Sequence, residues 1–233
     1  MMDAKDTQKT DYEAIKERLS VLVRNAESWK ETLGSCPHEI HEDLAMLYCI
    51  DLDSKEGMRK SVIINYNLLG TLDVSEEQIR RDAWENMKHS NPPCFLAMED
   101  ILKEIMNPDA AKHTDILGQL NETAEDDVLY VLTNLERING AAYICDEETM
   151  SAIAKKMDSD LIVIPSSIHE ILILRDKEEI DLDEIRKMVE EINENVVVPQ
   201  ERLSDSVYRF GKESHLLEQV EPGTEQGMGI RLY

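Results

Sequence analysis

Between residues 11 and 33, apolar side chains recur every three or four positions: Tyr12, Ile15, Leu19, Leu22, Ala26, Trp29 and Leu33. That spacing lays them along one stripe of a helix. It also fits a short heptad seam, although packing of the stripe on the protein's own sheet is the expectation. Gly34 is placed to close this helix, and Cys36-Pro37 forbids its continuation.

The pattern then changes period and repeats a theme. "DLAMLYCIDL" and "SVIINYNLL" read as two strands around a turn at "DSKEGM". "VSEEQIRRDAWENM" follows as a helix, with Ser75 as N-cap and Gln78 completing a capping box. "VLYVLTN" and "GAAYICD" read as a second pair of strands, joined near Asn139-Gly140, and "EETMSAIAKKM" as their helix, acidic at its start and basic at its end. "DLIVIPS" and "EILILRD" form a third pair, "LDEIRKMVEEINEN" a third helix, and "SVYRFG" a last strand. Three strand-strand-helix units predict an α+β fold, mostly antiparallel sheet with helices packed on one face. The expected organisation is a disordered N-terminus over 1–10, a helical plus strand-strand-helix subdomain over 11–115, two further units and the last strand over 116–212, and a loose tail over 213–233. The polar, acidic stretch after the short helix in "MEDILKEIM" is expected to be a linker.

Charge narrows the range of partners. The chain carries 49 acidic and 25 basic residues, a formal net charge of -24. Such a field repels a phosphate backbone, so no nucleic-acid partner is expected; a soluble, self-repelling surface is the expectation, and a basic protein partner the alternative. No run of 18 apolar residues occurs, so no membrane span is expected, and the polar start "MMDAKDTQKTDYEAIK" does not resemble a signal peptide. The chain reads as a cytoplasmic protein of bacterial type. Its four cysteines, Cys36, Cys49, Cys94 and Cys145, form no C-x-x-C pair and are expected as free thiols.

Three clusters are candidates for chemistry. In "PSSIHE", Ser166 or Ser167 with His169 and Glu170 supplies the residue types for a nucleophile, a base and a third group that orients the base. Yet a strand starting at Ile168 points His169 and Glu170 to opposite faces, and no glycine flanks the serines as a nucleophile elbow requires. A polar hairpin turn is the expected role. In "CPHEIHED", Cys36, His38, His41, Glu42 and Asp43 are metal-ligand types, but no second cluster completes a site, so no metal and no cofactor are expected. Around the last strand, Asp205, Tyr208 and Arg209, with Asn193 and Asn195 nearby, offer groups suited to binding another protein. No Walker loop, G-x-G-x-x-G motif or EF-hand pattern is present.

The blocks "YVLTN", "NGAAYI", "DLIVIPSSIHEILIL" and "EEINENVVVPQERLSDSVYRF" resemble an uncharacterised family of gut Clostridia. More distantly they resemble the YtpQ-like family of bacilli. "DLAMLYCIDL" and "VIINYNLLGTLDVSEEQI" are similar to the middle of that family, so the likeness covers residues 11–212, without the additional N-terminal segment of its members. The resemblance implies no reaction, substrate or cofactor. The leading expectation is therefore a non-enzymatic interaction or regulatory module binding a protein. The alternative is a small hydrolase using Ser166 or Ser167 with His169.

Overall fold

A computed structural model describes residues 12–52, 60–107, 117, 128–165, 167–177 and 180–223. Among these, the strands form two antiparallel sheets, and the fold is α+β. The expectations for residues 1–10, for the centre of the acidic linker and for the end of the tail lie outside the described residues.

The first sheet is organised by one long strand. β1 (Leu19–Asn25) pairs with β3 (Leu44–Leu52) along seven registered positions. The other edge of β3 is shared by β2 (His38–His41) and β4 (Lys60–Ile63) in succession. The predicted helix over 11–33 is thus mostly replaced: residues 12–16 are helical, β1 follows, and only α1 (Lys30–Leu33) is helical again. The reason lies in the same residues. Leu19, Val21 and Val23 alternate toward the main core, while Leu22 lies between them on the other face. A run buried on both faces satisfies helical and strand periods at once, and the β-branched valines with β3 as partner decide for the strand.

After β4 come α2 (Tyr66–Leu72), capped by the Asn65 side chain on Leu68 N–H at 2.8 Å, and α3 (Glu76–Ser90), capped by Ser75 on Gln78 N–H at 3.1 Å. "YNLL", expected as strand, turns helical because Asn65 offers a cap that a strand has no use for. The second sheet has the order β10-β9-β7-β8-β6-β5. Its strands are β5 (Pro93–Ala97), β6 (Tyr130–Asn134), β7 (Leu161–Ile164), β8 (Ile171–Arg175), β9 (Tyr208–Phe210) and β10 (Leu217–Gln219). Between β5 and β6 stands α4 (Met98–Met106); α5 (Glu147–Met157) precedes β7, and α6 (Leu182–Asn195) follows β8. "GAAYIC" is a 3-10 helix, Gly140–Cys145, rather than a strand, and β10 gives order to part of the tail.

One continuous core joins both sheets. Met46 and Tyr48 of β3, Ile79 and Met87 of α3, Leu132 of β6, Ile153 of α5 and Val163 of β7 belong to a single buried cluster. The helices do not all lie on one face. In β7, Leu161 and Val163 face that core, while Ile162 and Ile164 face the opposite side with Leu182 and Val189 of α6. A strand apolar at every position needs cover on both faces, and α6 supplies the second.

Candidate functional site

The turn between β7 and β8 is built from the serine-histidine cluster. Ser167 N–H donates to Glu170 O at 3.2 Å, and Ser167 Oγ accepts the His169 backbone N–H at 3.1 Å. The described serine thus binds the backbone of its own turn, as turn serines do. Ser166 lies outside the described residues. Neighbouring segments fix the turn: Ile168 N–H donates to Glu201 O at 2.9 Å, and Thr133 Oγ1 donates to His169 O at 2.9 Å. The His169 ring is engaged on both sides. Its Nδ1 accepts Asn139 N–H at 3.2 Å, which places the proton of the neutral ring on Nε2, 3.6 Å from Glu201 Oε1. Asn139, held at φ 56°, in turn accepts Arg24 through Oδ1 at 3.2 Å. A polar line therefore runs Arg24–Asn139–His169–Glu201, from the first sheet to the segment after α6. A nucleophile–base pair needs the serine oxygen on the ring; here Ser167 gives its oxygen to the His169 backbone, and the ring holds the loop before Gly140.

The second cluster lies alongside. Tyr208 is buried, not displayed for an interface. Its hydroxyl donates to Asp43, its oxygen lies 3.0 Å from Ser204 Oγ, and Ser204 Oγ donates to Asp43 Oδ2 at 2.7 Å. Burial, then the charge of Asp43, pushes the phenol far above its ordinary value. The physical reason for the placement is the β9 alternation, which turns Tyr208 and Phe210 into the core and Arg209 outward. Arg209 Nε meets Asp176 Oδ2 at 2.5 Å. Asp205 is exposed, and its Oδ1 accepts Asn193 Nδ2 at 2.7 Å, so the end of α6 is tied to this segment. Residues 201–208 thus bring the two sequence clusters together: Glu201 serves the histidine turn, and Ser204, Asp205 and Tyr208 serve Asp43 and α6.

A family model matches residues 2–212, a span that includes both clusters. The chain belongs to the family of unknown function DUF5688. No curated protein and no solved structure matches it.

In this DUF5688 chain, Cys36, His38 and His41 do not converge. His38 and His41 lie on a strand, where positions three apart point to opposite faces. The His38 ring lies 2.8 Å from Cys36 O through Nδ1, and burial lowers the pKa of His41. Among the described residues, no group of three or more His, Cys, Asp or Glu is placed to hold a metal ion, and no helix is long and apolar enough to cross a membrane.

The surface beside the second cluster was not singled out by sequence. Met188, Ile192, Val196 and Val198 are 50%, 41%, 75% and 52% exposed, following one flank of α6 and its continuation. Exposed Glu184 and Glu191, each one turn from Met188, and exposed Asp205 accompany them. The signal was present in the four-residue spacing of 188, 192 and 196, hidden because Leu182, Ile185 and Val189 give the same helix a second apolar stripe that packs inward.

Proposed function

We propose that this DUF5688 chain is a non-enzymatic interaction module of the bacterial cytoplasm that binds a basic segment of another protein. The observation that carries the reading is the exposed apolar flank Met188–Ile192–Val196–Val198 with its glutamates, in a chain of net charge -24. A basic amphipathic helix would lay its apolar face on that flank and its lysines against Glu184 and Glu191. Asp205, near the end of α6, extends the acidic rim; Arg209, paired with Asp176, lends order to the strand behind it. The wider relationship to a Clostridial family and to the YtpQ-like proteins of bacilli belongs to the same proposal and brings no reaction with it.

The test is fluorescence anisotropy with a synthetic lysine-leucine amphipathic peptide and a glutamate-leucine peptide of the same length. The basic peptide is expected to bind and the acidic one not. Ile192→Asp and Val196→Asp should each weaken binding by about tenfold, with unchanged circular dichroism, and added salt should weaken it further. Equal binding of both peptides, or variants that bind as the parent does, would remove this surface from consideration. The competing hydrolase reading, Ser166 or Ser167 with His169, predicts a turnover in an ester and amide substrate screen that His169→Ala abolishes in a folded protein.

A further inference from the structure

A different polar site lies where the β9–β10 loop meets α5. An open groove of about 630 Å³ is lined there by Ser151, Ala152, Lys155, Asp158, Lys212 and His215. Ser151 Oγ and His215 Nδ1 are 2.5 Å apart, joined across 64 positions of sequence. Lys155 stands one turn beyond Ser151 on the same helix face.

The loop that supplies His215 is closed on itself. Gly211 N–H donates to Leu216 O at 3.0 Å and His215 N–H to Gly211 O at 2.9 Å, while Lys212 N–H donates to Asp160 Oδ1 at 2.7 Å. The chain as a whole has 49 acidic against 25 basic residues, yet the groove lining holds a single carboxylate, Asp158, already matched by Lys212 Nζ at 2.6 Å. Lys155 is exposed and makes no ion pair among the described residues. The groove lining thus holds two lysines and one carboxylate, with Asp160 and Glu213 beside Lys212. It lies toward the C-terminal end of α5, whose carbonyls disfavour anions. Asp158 and Ser159 N–H groups occupy Lys155 O and Ala154 O, at 3.3 and 3.2 Å, which blunts that opposition.

We propose that this groove binds a phosphoryl group, as free phosphate or as a phosphate monoester. In the tautomer with its proton on Nδ1, the His215 ring donates to Ser151 Oγ, and the serine O–H is released to donate to the ligand. The Lys155 ammonium and the Lys212 Nζ–H groups not used by Asp158 complete three kinds of donor to one oxyanion. A carboxylate, with two oxygens and one charge, uses this set less fully. The site is independent of the peptide-binding flank of α6.

The experiment is an NMR titration of the full chain, following the His215 ring signals, with inorganic phosphate, phenyl phosphate and sodium acetate at matched ionic strength. A saturable shift is expected with the phosphates and none with acetate, and Lys155→Ala and Ser151→Ala should each weaken it by about tenfold in a folded protein. Tighter binding of phenyl phosphate would assign the site to a monoester, and equal binding to free phosphate. Absence of a saturable shift, an equal response to acetate, or indifference to Lys155→Ala would overturn the proposal.

Discussion

Gly140 sits where three segments meet. A Cβ there would lie 2.5 Å from Thr133 Oγ1, 2.6 Å from Asn134 N and 2.8 Å from His169 O. Two of these, Asn134 N and His169 O, are backbone atoms, so rotation of a side chain cannot relieve the contact. Gly140→Ala is expected to lower stability by about 2–4 kcal/mol, read from the urea midpoint; a loss below about 0.5 kcal/mol, the scale of ordinary surface changes, would show that the turn moves aside. Cys145 gives a second prediction at this scale. Burial, with the nearby Glu39 and Asp146 charges, raises its thiol from 9.0 to about 12. The folded chain therefore holds this proton more tightly than the unfolded chain. The stability it contributes is complete below pH 9 and lost as pH climbs toward 12. At about pH 8, iodoacetamide should label Cys145 far more slowly in the native protein than in urea, because the thiolate is the nucleophile. Equal rates would contradict the shift.

The helices divide cleanly by how much of their support is local. Ser75 and Gln78 marked the start of α3 in the sequence, and the cap stands where that pair placed it. Asp146 caps α5 in the same manner, but its side chain also meets Lys88 Nζ at 2.8 Å and Thr149 Oγ1 at 2.6 Å. Ser75→Ala should therefore cost about 1 kcal/mol, the loss of a cap. Asp146→Ala should cost about 3 kcal/mol, because Lys88 is left without its better-buried partner. Comparable losses in denaturant titrations would mean that the Lys88 pair adds nothing to the cap. The same division explains what was legible. Caps, turn glycines and single amphipathic stripes are written in neighbouring residues, so α3, α5, α6 and the β7–β8 hairpin could be read. Leu19–Val23 could not, because both faces are buried and only pairing with β3 selects the strand. "GAAYIC" was missed for the same reason: Gly140 is chosen by contacts with Thr133 and His169, not by its neighbours in sequence. The candidate site was half legible. The turn at Ser167–His169 was, whereas its partners Asn139, Glu201 and Arg24 are joined to it only by folding.

At the scale of the molecule, the two sheets share one buried core, and a strand from before the acidic stretch belongs to the second sheet. β5, from the segment before the acidic stretch, is the edge strand of the second sheet, registered on β6 from Pro93↔Asn134 to Ala97↔Tyr130. Phe95 and Tyr130 stack across that pairing with ring centroids 4.8 Å apart. Farther along, Tyr208 of β9 and Asp43 of the β2–β3 turn bind each other across 165 positions of sequence. A core shared in this way is expected to unfold as one unit. Urea unfolding followed by circular dichroism and by Trp29 and Trp84 fluorescence should give coincident transitions, since Trp29 packs against the outer face of the first sheet and Trp84 against the shared core. Fragments 11–115 and 116–212, expressed separately, should each lack that cooperative transition, because one loses the sheet its β5 belongs to and the other loses an edge strand and α3. Tyr208→Phe isolates the link between the sheets. Its hydroxyl bonds a carboxylate, so its loss should cost about 1.5–3 kcal/mol, and in a cycle with Asp43→Asn the two losses should fall well short of additive. Additive losses together with two separated transitions would mean that the sheets are stable independently and that Asp43–Tyr208 merely decorates their contact. Coincident transitions with strong coupling would make that part-buried pair a determinant of how the face bearing Glu201 and Asp205 is held against the first sheet.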